Sequence, residues 1–262
     1  MKIYSIKKFL NYTITSGHKR GNGIESPFIL NIIVKIFRNK ITPDIVFKTE
    51  MIRTGLKSDK RQISITDFGT GSSACERRQV MVSRQIRKTA IPRKYGELLS
   101  GLSGEFGNQC IIELGTSFGI STMYLASGNK GATVYTLEGC TETAEIAKEN
   151  FKKSGLDNVC LFTGRFEELI PQLEQKKLRP GLVFIDGNHR KYPTLDYFNR
   201  MAAMSDENVV LIFDDIYYSR EMGEAWKEIK NDSRVSSTID IYRMGIVFFR
   251  PEMSRTHYKI RY

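Results

Sequence analysis

The residues best suited to chemistry stand in the run Cys110-Ile111-Ile112-Glu113-Leu114-Gly115-Thr116-Ser117-Phe118-Gly119-Ile120-Ser121-Thr122. Its apolar first half reads as a buried strand, and Gly115 and Gly119 as a sharp turn that opens a helix. A strand-to-helix turn on glycine lets backbone approach a ligand closely and aims helix N–H groups at an anionic end. Glu138 closes the next apolar run, 25 residues after Glu113. A carboxylate there can accept both ribose hydroxyls of an adenosine. The spacing Gly115-x-x-x-Gly119 lacks the close glycine pair that hugs a pyrophosphate. It argues against a nicotinamide dinucleotide and for an adenosyl ligand whose other end is an amino acid.

A second glycine pattern, Asp67-Phe68-Gly69-Thr70-Gly71-Ser72-Ser73-Ala74, matches GxGxxA literally. A dinucleotide site needs a second strand ending in an acid about 20 residues on. The chain instead runs through Arg77, Arg78, Arg84, Arg87 and Lys88, read as a basic, helix-like stretch. Gly69 and Gly71 are therefore expected in a turn that flanks the site.

The positioning elements follow from periodicity. From about residue 95, apolar runs alternate with amphipathic ones, the pattern of a parallel sheet covered on both faces. Strands are expected at CIIELG, ATVYTLEG, NVCLFTG, GLVFIDG and NVVLIFDD. The helices between them read STMYLASGN, TETAEIAKENFKKSGL with a Thr cap, FEELIPQLEQKK with a kink at Pro171, and YPTLDYFNRMAAM; REMGEAWKEIKND follows the fifth strand. STIDIYR and GIVFFR read as a hairpin turning at Met244-Gly245, and HYKIRY as an added edge strand. Trp226 is expected in the core and Tyr217 and Tyr218 near the mouth of the site.

The 262 residues, 40% of them hydrophobic, suffice for one large α/β domain with an extension. The domain is placed at 95–262. Residues 1–94 are read as a basic, mostly helical extension that caps the sheet, with a separate small binding module as the rival. No apolar run approaches the roughly 20 residues of a membrane span, and the opening residues lack the apolar core of a signal peptide. Cys75, Cys110, Cys140 and Cys160 show no CxxC spacing and are expected as buried, reduced thiols of a cytoplasmic protein. The net charge of +11 is uneven: residues 1–94 hold 20 Lys/Arg against 6 Asp/Glu, the rest 20 against 23. Such a region suits nucleic acid, an anionic surface or an acidic substrate. Its charges are scattered among apolar residues, which also fits a merely solvated face.

IELGTSFGIST, VYTLEG, LVFIDGNHR and VVLIFDD, in this order on successive strands, resemble the class I S-adenosylmethionine (SAM)-dependent methyltransferases over about 95–250. The resemblance implies a Rossmann-like, seven-stranded mixed sheet of order 3-2-1-4-5-7-6, strand seven antiparallel, with helices on both faces. It implies that Glu113, Gly115, Thr116, Ser117, Gly119 and Ser121 hold the methionine part of SAM. Glu138 and Gly139 would hold the ribose, and Arg165 and Phe166 would lie by the adenine. More narrowly, the chain resembles the metal-dependent small-molecule O-methyltransferases of the catechol, caffeoyl-CoA and macrolide-sugar types. Their Asp after the fourth strand corresponds to Asp186, which by the same resemblance would also contact the cofactor. Their acidic pair after the fifth corresponds to Asp214 and Asp215, and their base to His189. RKYGELLSGL is similar to the family's Gly-x-x-Leu helix beside SAM.

These matches imply that Asp186, Asp214 and Asp215 hold Mg²⁺ or another divalent cation, with His189 and Asp186 as the catalytic pair. A metal-bound hydroxyl ionises near neutral pH, and His189 could take its proton. The duller readings are a metal-free Asp186 on the cofactor, a helix cap at Asp214 or Asp215, and a surface loop at His189. His18 and His257 show no ligand pairing. The expectation is a cytoplasmic methyltransferase acting on a hydroxyl of a small molecule. Its rivals are an RNA or protein methyltransferase that uses the basic region, and a non-catalytic SAM- or nucleotide-binding module. A homo-oligomer is left open.

Overall fold

The computed structural model describes residues 2–17, 21–38, 43–67 and 76–262. In chain order the described elements begin with helices α1 (Lys2–Thr15) and α2 (Pro27–Ile32), a π-helical turn at Ile33–Phe37, and α3 (Pro43–Ser58). Strands β1 (Gln62–Asp67) and β2 (Glu76–Met81) and helices α4 (Val82–Thr89) and α5 (Arg93–Phe106) come next. Alternation then sets in: β3 (Cys110–Leu114), α6 (Ile120–Gly128), β4 (Thr133–Glu138), α7 (Thr141–Ser154), β5 (Val159–Thr163), α8 (Phe166–Gln175). It continues with β6 (Leu182–Ile185), α9 (Lys191–Met204), β7 (Val210–Phe213), α10 (Arg220–Asn231), β8 (Ser237–Asp240), β9 (Gly245–Phe248) and β10 (Thr256–Lys259). Two compact units result, one of Lys40–Pro180 and one of Met1–Asn39 with Gly181–Tyr262.

In the Lys40–Pro180 unit, β4 lies between β3 and β5, all parallel. Every residue of β3 is buried, as its unbroken apolar run requires of a strand covered on both faces. β5 ladders to β4 at the end of the strand order and stays partly open. Cys160 is consequently exposed, which corrects the expectation of a buried thiol; Cys110 and Cys140 are buried. Cys75 lies outside the described residues. α7 is capped by Cys140 rather than a threonine and ends on Gly155 in the left-handed region at φ 72°. Helix α5 realises the Gly-x-x-Leu segment, and its glycine has a packing reason: a Cβ on Gly96 would stand 2.4 Å from the Tyr124 ring of α6.

The stretch after the second glycine pattern is not wholly helical. Glu76–Met81 is a strand paired antiparallel with Gln62–Asp67, and the helix starts only at Val82. Gly69 and Gly71 lie outside the described residues. The pattern thus stands between two antiparallel strands, not between a strand and a helix as a dinucleotide fingerprint requires.

In the other unit, β6 and β7 are parallel, and β9 runs antiparallel between β7 and β8. β10 adds a parallel edge strand beside β8. The described alternating strands therefore number eight, not seven, and the order departs from the expected one by this addition. The hairpin turns over Ile241–Met244, earlier than Met244-Gly245: Ile241 N–H donates to the Met244 carbonyl at 3.0 Å and Tyr242 takes φ 69°. Helix α1 seats its inner face through Tyr12, whose hydroxyl donates to the Ile260 carbonyl at 2.6 Å and accepts from Tyr262 N–H at 3.1 Å. Trp226 is buried in this unit, as expected.

Candidate active site

The bend from β3 to α6 bears the strain of a binding loop. Gly115, Ser117 and Gly119 all take positive φ, at 110°, 48° and 83°. For Ser117 this is an unfavourable conformation, held by its surroundings. Gly115 N–H and Thr116 N–H both donate to the Leu137 carbonyl, at 3.0 and 3.1 Å. Gly119 caps α6 with no side-chain hydrogen bond. The first turn of α6 therefore presents backbone N–H groups that no cap occupies.

Glu138 is anchored against that bend. Its Oε2 accepts from Ser117 N–H at 2.6 Å and its Oε1 from Cys140 N–H at 2.9 Å. Burial pushes its pKa up, while the N–H groups of Cys140, Ser117 and Gly139 favour the ionised form. An ionised carboxylate offers about four acceptor positions, so these anchors leave capacity for further donors. Gly164 N–H bonds the Glu138 carbonyl at 2.9 Å, which brings Arg165, the cap of α8, and Phe166 to the same strand end.

Glu113 sits deeper. It is fully buried, and its Oε2 accepts from the hydroxyls of Thr122 at 2.5 Å and Thr136 at 2.6 Å. Thr136 spends its proton on Glu113, so the Thr116 hydroxyl, 2.5 Å away, donates to Thr136. Burial pushes Glu113 up to about 6, against the hydroxyls of Ser121, Thr122 and Thr136. Its Oε1 is buried without a hydrogen-bond partner. The N-terminal elements also border this corner: the Thr89 hydroxyl of α4 lies 3.2 Å from that of Ser117, and Ser64 N–H of β1 donates to Glu142 at 2.8 Å. A cavity of about 740 Å³ elsewhere in this unit is lined by α3 with Arg61, Asn150 and Lys153. Neither the 113–119 bend nor Glu138 lines it.

In the other unit, Asp186 and His189 follow β6. His189 Nε2 stands 3.5 Å from Asp186 Oδ1, with the two side chains 29% and 19% exposed. Asn188 and His189 both take positive φ, 64° and 27°, a curl that turns the imidazole back toward Asp186. The Tyr218 ring lies 5.6 Å from that of His189, whereas the Tyr217 hydroxyl is committed to Asp240 at 2.5 Å.

Asp214, at the end of β7, has a fully buried side chain clasped by Arg243 from the β8–β9 turn. The guanidinium donates from Nε to Oδ1 at 3.0 Å and from Nη2 to Oδ2 at 2.6 Å, and Nη2 lies 3.8 Å from Asp215 Oδ1. Burial and the charges of Asp186 and Asp215 push the Asp214 pKa up; Arg243 pulls it back.

This arrangement does not fit the expected cation site. Both oxygens of Asp214 face a guanidinium, and among the described residues no group of three His, Cys, Asp or Glu side chains is set to hold a metal ion. The positive charge between the carboxylates comes from Arg243. Sequence reading missed this residue, because it lies 29 positions from its partner inside a hairpin turn. The only signal was an arginine beside the turn in a chain rich in arginines.

Residues 112–216 match the family model described as a methyltransferase domain. The chain is 32% identical over 130 residues to "O-methyltransferase imqG" of Aspergillus flavus, covering 47% of this chain and 51% of that one. It is 31% identical over 106 residues to "Uncharacterized RNA methyltransferase" of Clostridium tetani, covering 40% and 23%. The chain thus spans about half the length of the first relative and under a quarter of the second. The solved O-methyltransferase from Bacillus cereus in complex with SAH superposes with a TM-score of 0.57 at 21% identity, over 79% of this chain and 92% of that one. At that identity the likeness is one of fold.

Proposed function

We propose that this chain is a class I methyltransferase, a reading supported by the match over residues 112–216 and by the Rossmann-like fold, and that it moves a methyl group from SAM to a hydroxyl oxygen of a small molecule. Residues 95–262 are proposed as the transfer domain and 1–94 as a basic cap. Free cysteines among the described residues favour a cytoplasmic setting.

The observation that carries the reading is the union of the Gly115–Gly119 bend with Glu138. The bend offers uncapped N–H groups to a carboxylate, and Glu138 keeps acceptor capacity for two ribose hydroxyls. Both features fit the two ends of SAM. Bound SAM supplies an electrophilic methyl group on a sulfonium. Glu113 and the Thr116–Thr136–Thr122 hydroxyls hold the bend from beneath. His189, 3.5 Å from Asp186, would accept the proton of the acceptor hydroxyl, the methyl passing from the sulfonium sulfur to that oxygen and leaving a neutral thioether. Arg243 neutralises the carboxylates beyond β7, so no step is assigned to a metal.

Calorimetric titration with SAM is expected to give one site. Glu138→Ala should weaken it about 100-fold, the loss of two hydrogen bonds to a charged acceptor. Methyl-labelled SAM with small phenols and alcohols should give labelled ethers, unaffected by chelators. Absence of SAM binding refutes the reading. Methylation of RNA is a second reading, favoured by the 20 Lys/Arg against 6 Asp/Glu in residues 1–94. Label appearing in RNA, with salt-dependent binding, would replace the first.

A further inference from the structure

Helix α1 turns one face to its own unit and the other to solvent. Tyr4, Ser5, Lys8 and Tyr12 face inward: the Ser5 and Tyr242 hydroxyls lie 2.8 Å apart, and Lys8 covers the Tyr217 ring at 5.3 Å. Ile3, Ile6, Leu10 and Ile14 recur at i, i+3, i+7 and i+11 on the opposite side, 72%, 57%, 55% and 83% exposed. Lys7 is exposed beside this stripe. The next helical segment of the same unit repeats the composition, with Leu30 and Val34 exposed near Lys35 and Arg38. Residues 1–39 hold seven Lys/Arg and one acid.

We infer that the outer face of α1 docks on an anionic lipid bilayer. Aliphatic side chains with flanking lysines suit the headgroup–acyl boundary, where both halves of the helix are satisfied together. At 14 residues the helix lies in the interface and does not cross it. A second copy fits worse, because a symmetric contact would set this positive charge against itself. RNA fits worse as well, because phosphates have no use for four exposed aliphatic side chains.

Flotation of the full chain with vesicles tests this. It should bind vesicles of phosphatidylglycerol and phosphatidylcholine in equal parts, release with salt, and ignore phosphatidylcholine alone. Lys7→Gln should weaken binding about fivefold. Ile6→Ser with Leu10→Ser should weaken it at least about tenfold. Both variants replace exposed side chains, and an unchanged melting temperature checks that they fold. Failure to bind anionic vesicles, or equal binding by the serine variant, overturns the inference. So does a dimer that the serine variant dissolves without any vesicle binding. Tight RNA retention that depends on Lys7 but not on Ile6 and Leu10, again without vesicle binding, has the same result.

Discussion

Replacing Arg243 with methionine keeps an apolar stem in place and removes the guanidinium. The Asp214 side chain is 0% exposed, so its carboxylate would be stranded out of reach of water. Breaking a buried pair from one side costs about 3–5 kcal/mol. The looser contact to Asp215, at 3.8 Å on a side chain 30% exposed, is worth at most about 1 kcal/mol. The Asp214 pair therefore sets the result. Urea denaturation followed by far-UV circular dichroism should show the midpoint falling by about 1–2 M. The loss should deepen with rising pH. In the variant, folded Asp214 keeps a proton that the unfolded chain has released above about pH 3.9, so the folded state binds more protons and stability falls as pH rises. Asp214→Asn in the same background removes the buried ionisable group and should restore most of the loss. A cost under about 1 kcal/mol, or one undiminished by Asp214→Asn, refutes the claim that this guanidinium supplies the missing cation.

Glu113 should give the native protein a pH dependence of its own. Its carboxyl titrates at about 6 when folded against 4.5 otherwise, so stability declines by about 2 kcal/mol between those values as pH rises. Glu113→Gln should flatten that slope in melts across the same range, and an unchanged slope assigns it elsewhere. Gly119→Ala sets a Cβ 2.5 Å from the Phe151 ring at a left-handed φ, and should cost about 2–4 kcal/mol by chemical denaturation. A neutral result would mean that the bend relaxes freely. His189→Ala should lower kcat at least about 100-fold while SAM affinity holds, and equal losses in both would make the histidine structural.

Strands β3, β6, β7 and β9 were legible because their mostly apolar runs are buried throughout, whereas β4 alternates and β5 stays partly open. The β1–β2 hairpin was not. Its second strand reads Glu76-Arg77-Arg78-Gln79-Val80-Met81, and a run opening on four polar residues carries no period-two signal. Cys160 misled for a related reason: its run is apolar, but β5 stands at the end of the strand order with only one neighbour. At the site, the glycine bend and the acid at the end of β4 were readable as local structure, since both follow from short-range turns. Arg243 was not, because its role depends on a hairpin folding back on β7. That one side chain occupies the carboxylate oxygens on which the metal expectation relied.

Helix α1 rests on residues far along the chain from it. Gly17 bridges to Ile260, Tyr12 bonds the carbonyl of Ile260 and the N–H of Tyr262, and Phe9 packs edge-on against Tyr242. During synthesis α1 leaves the ribosome well before its seat does, and waits about 240 residues for it. Over that interval both its faces are bare, and a chaperone or a bilayer has its longest opportunity to claim the helix.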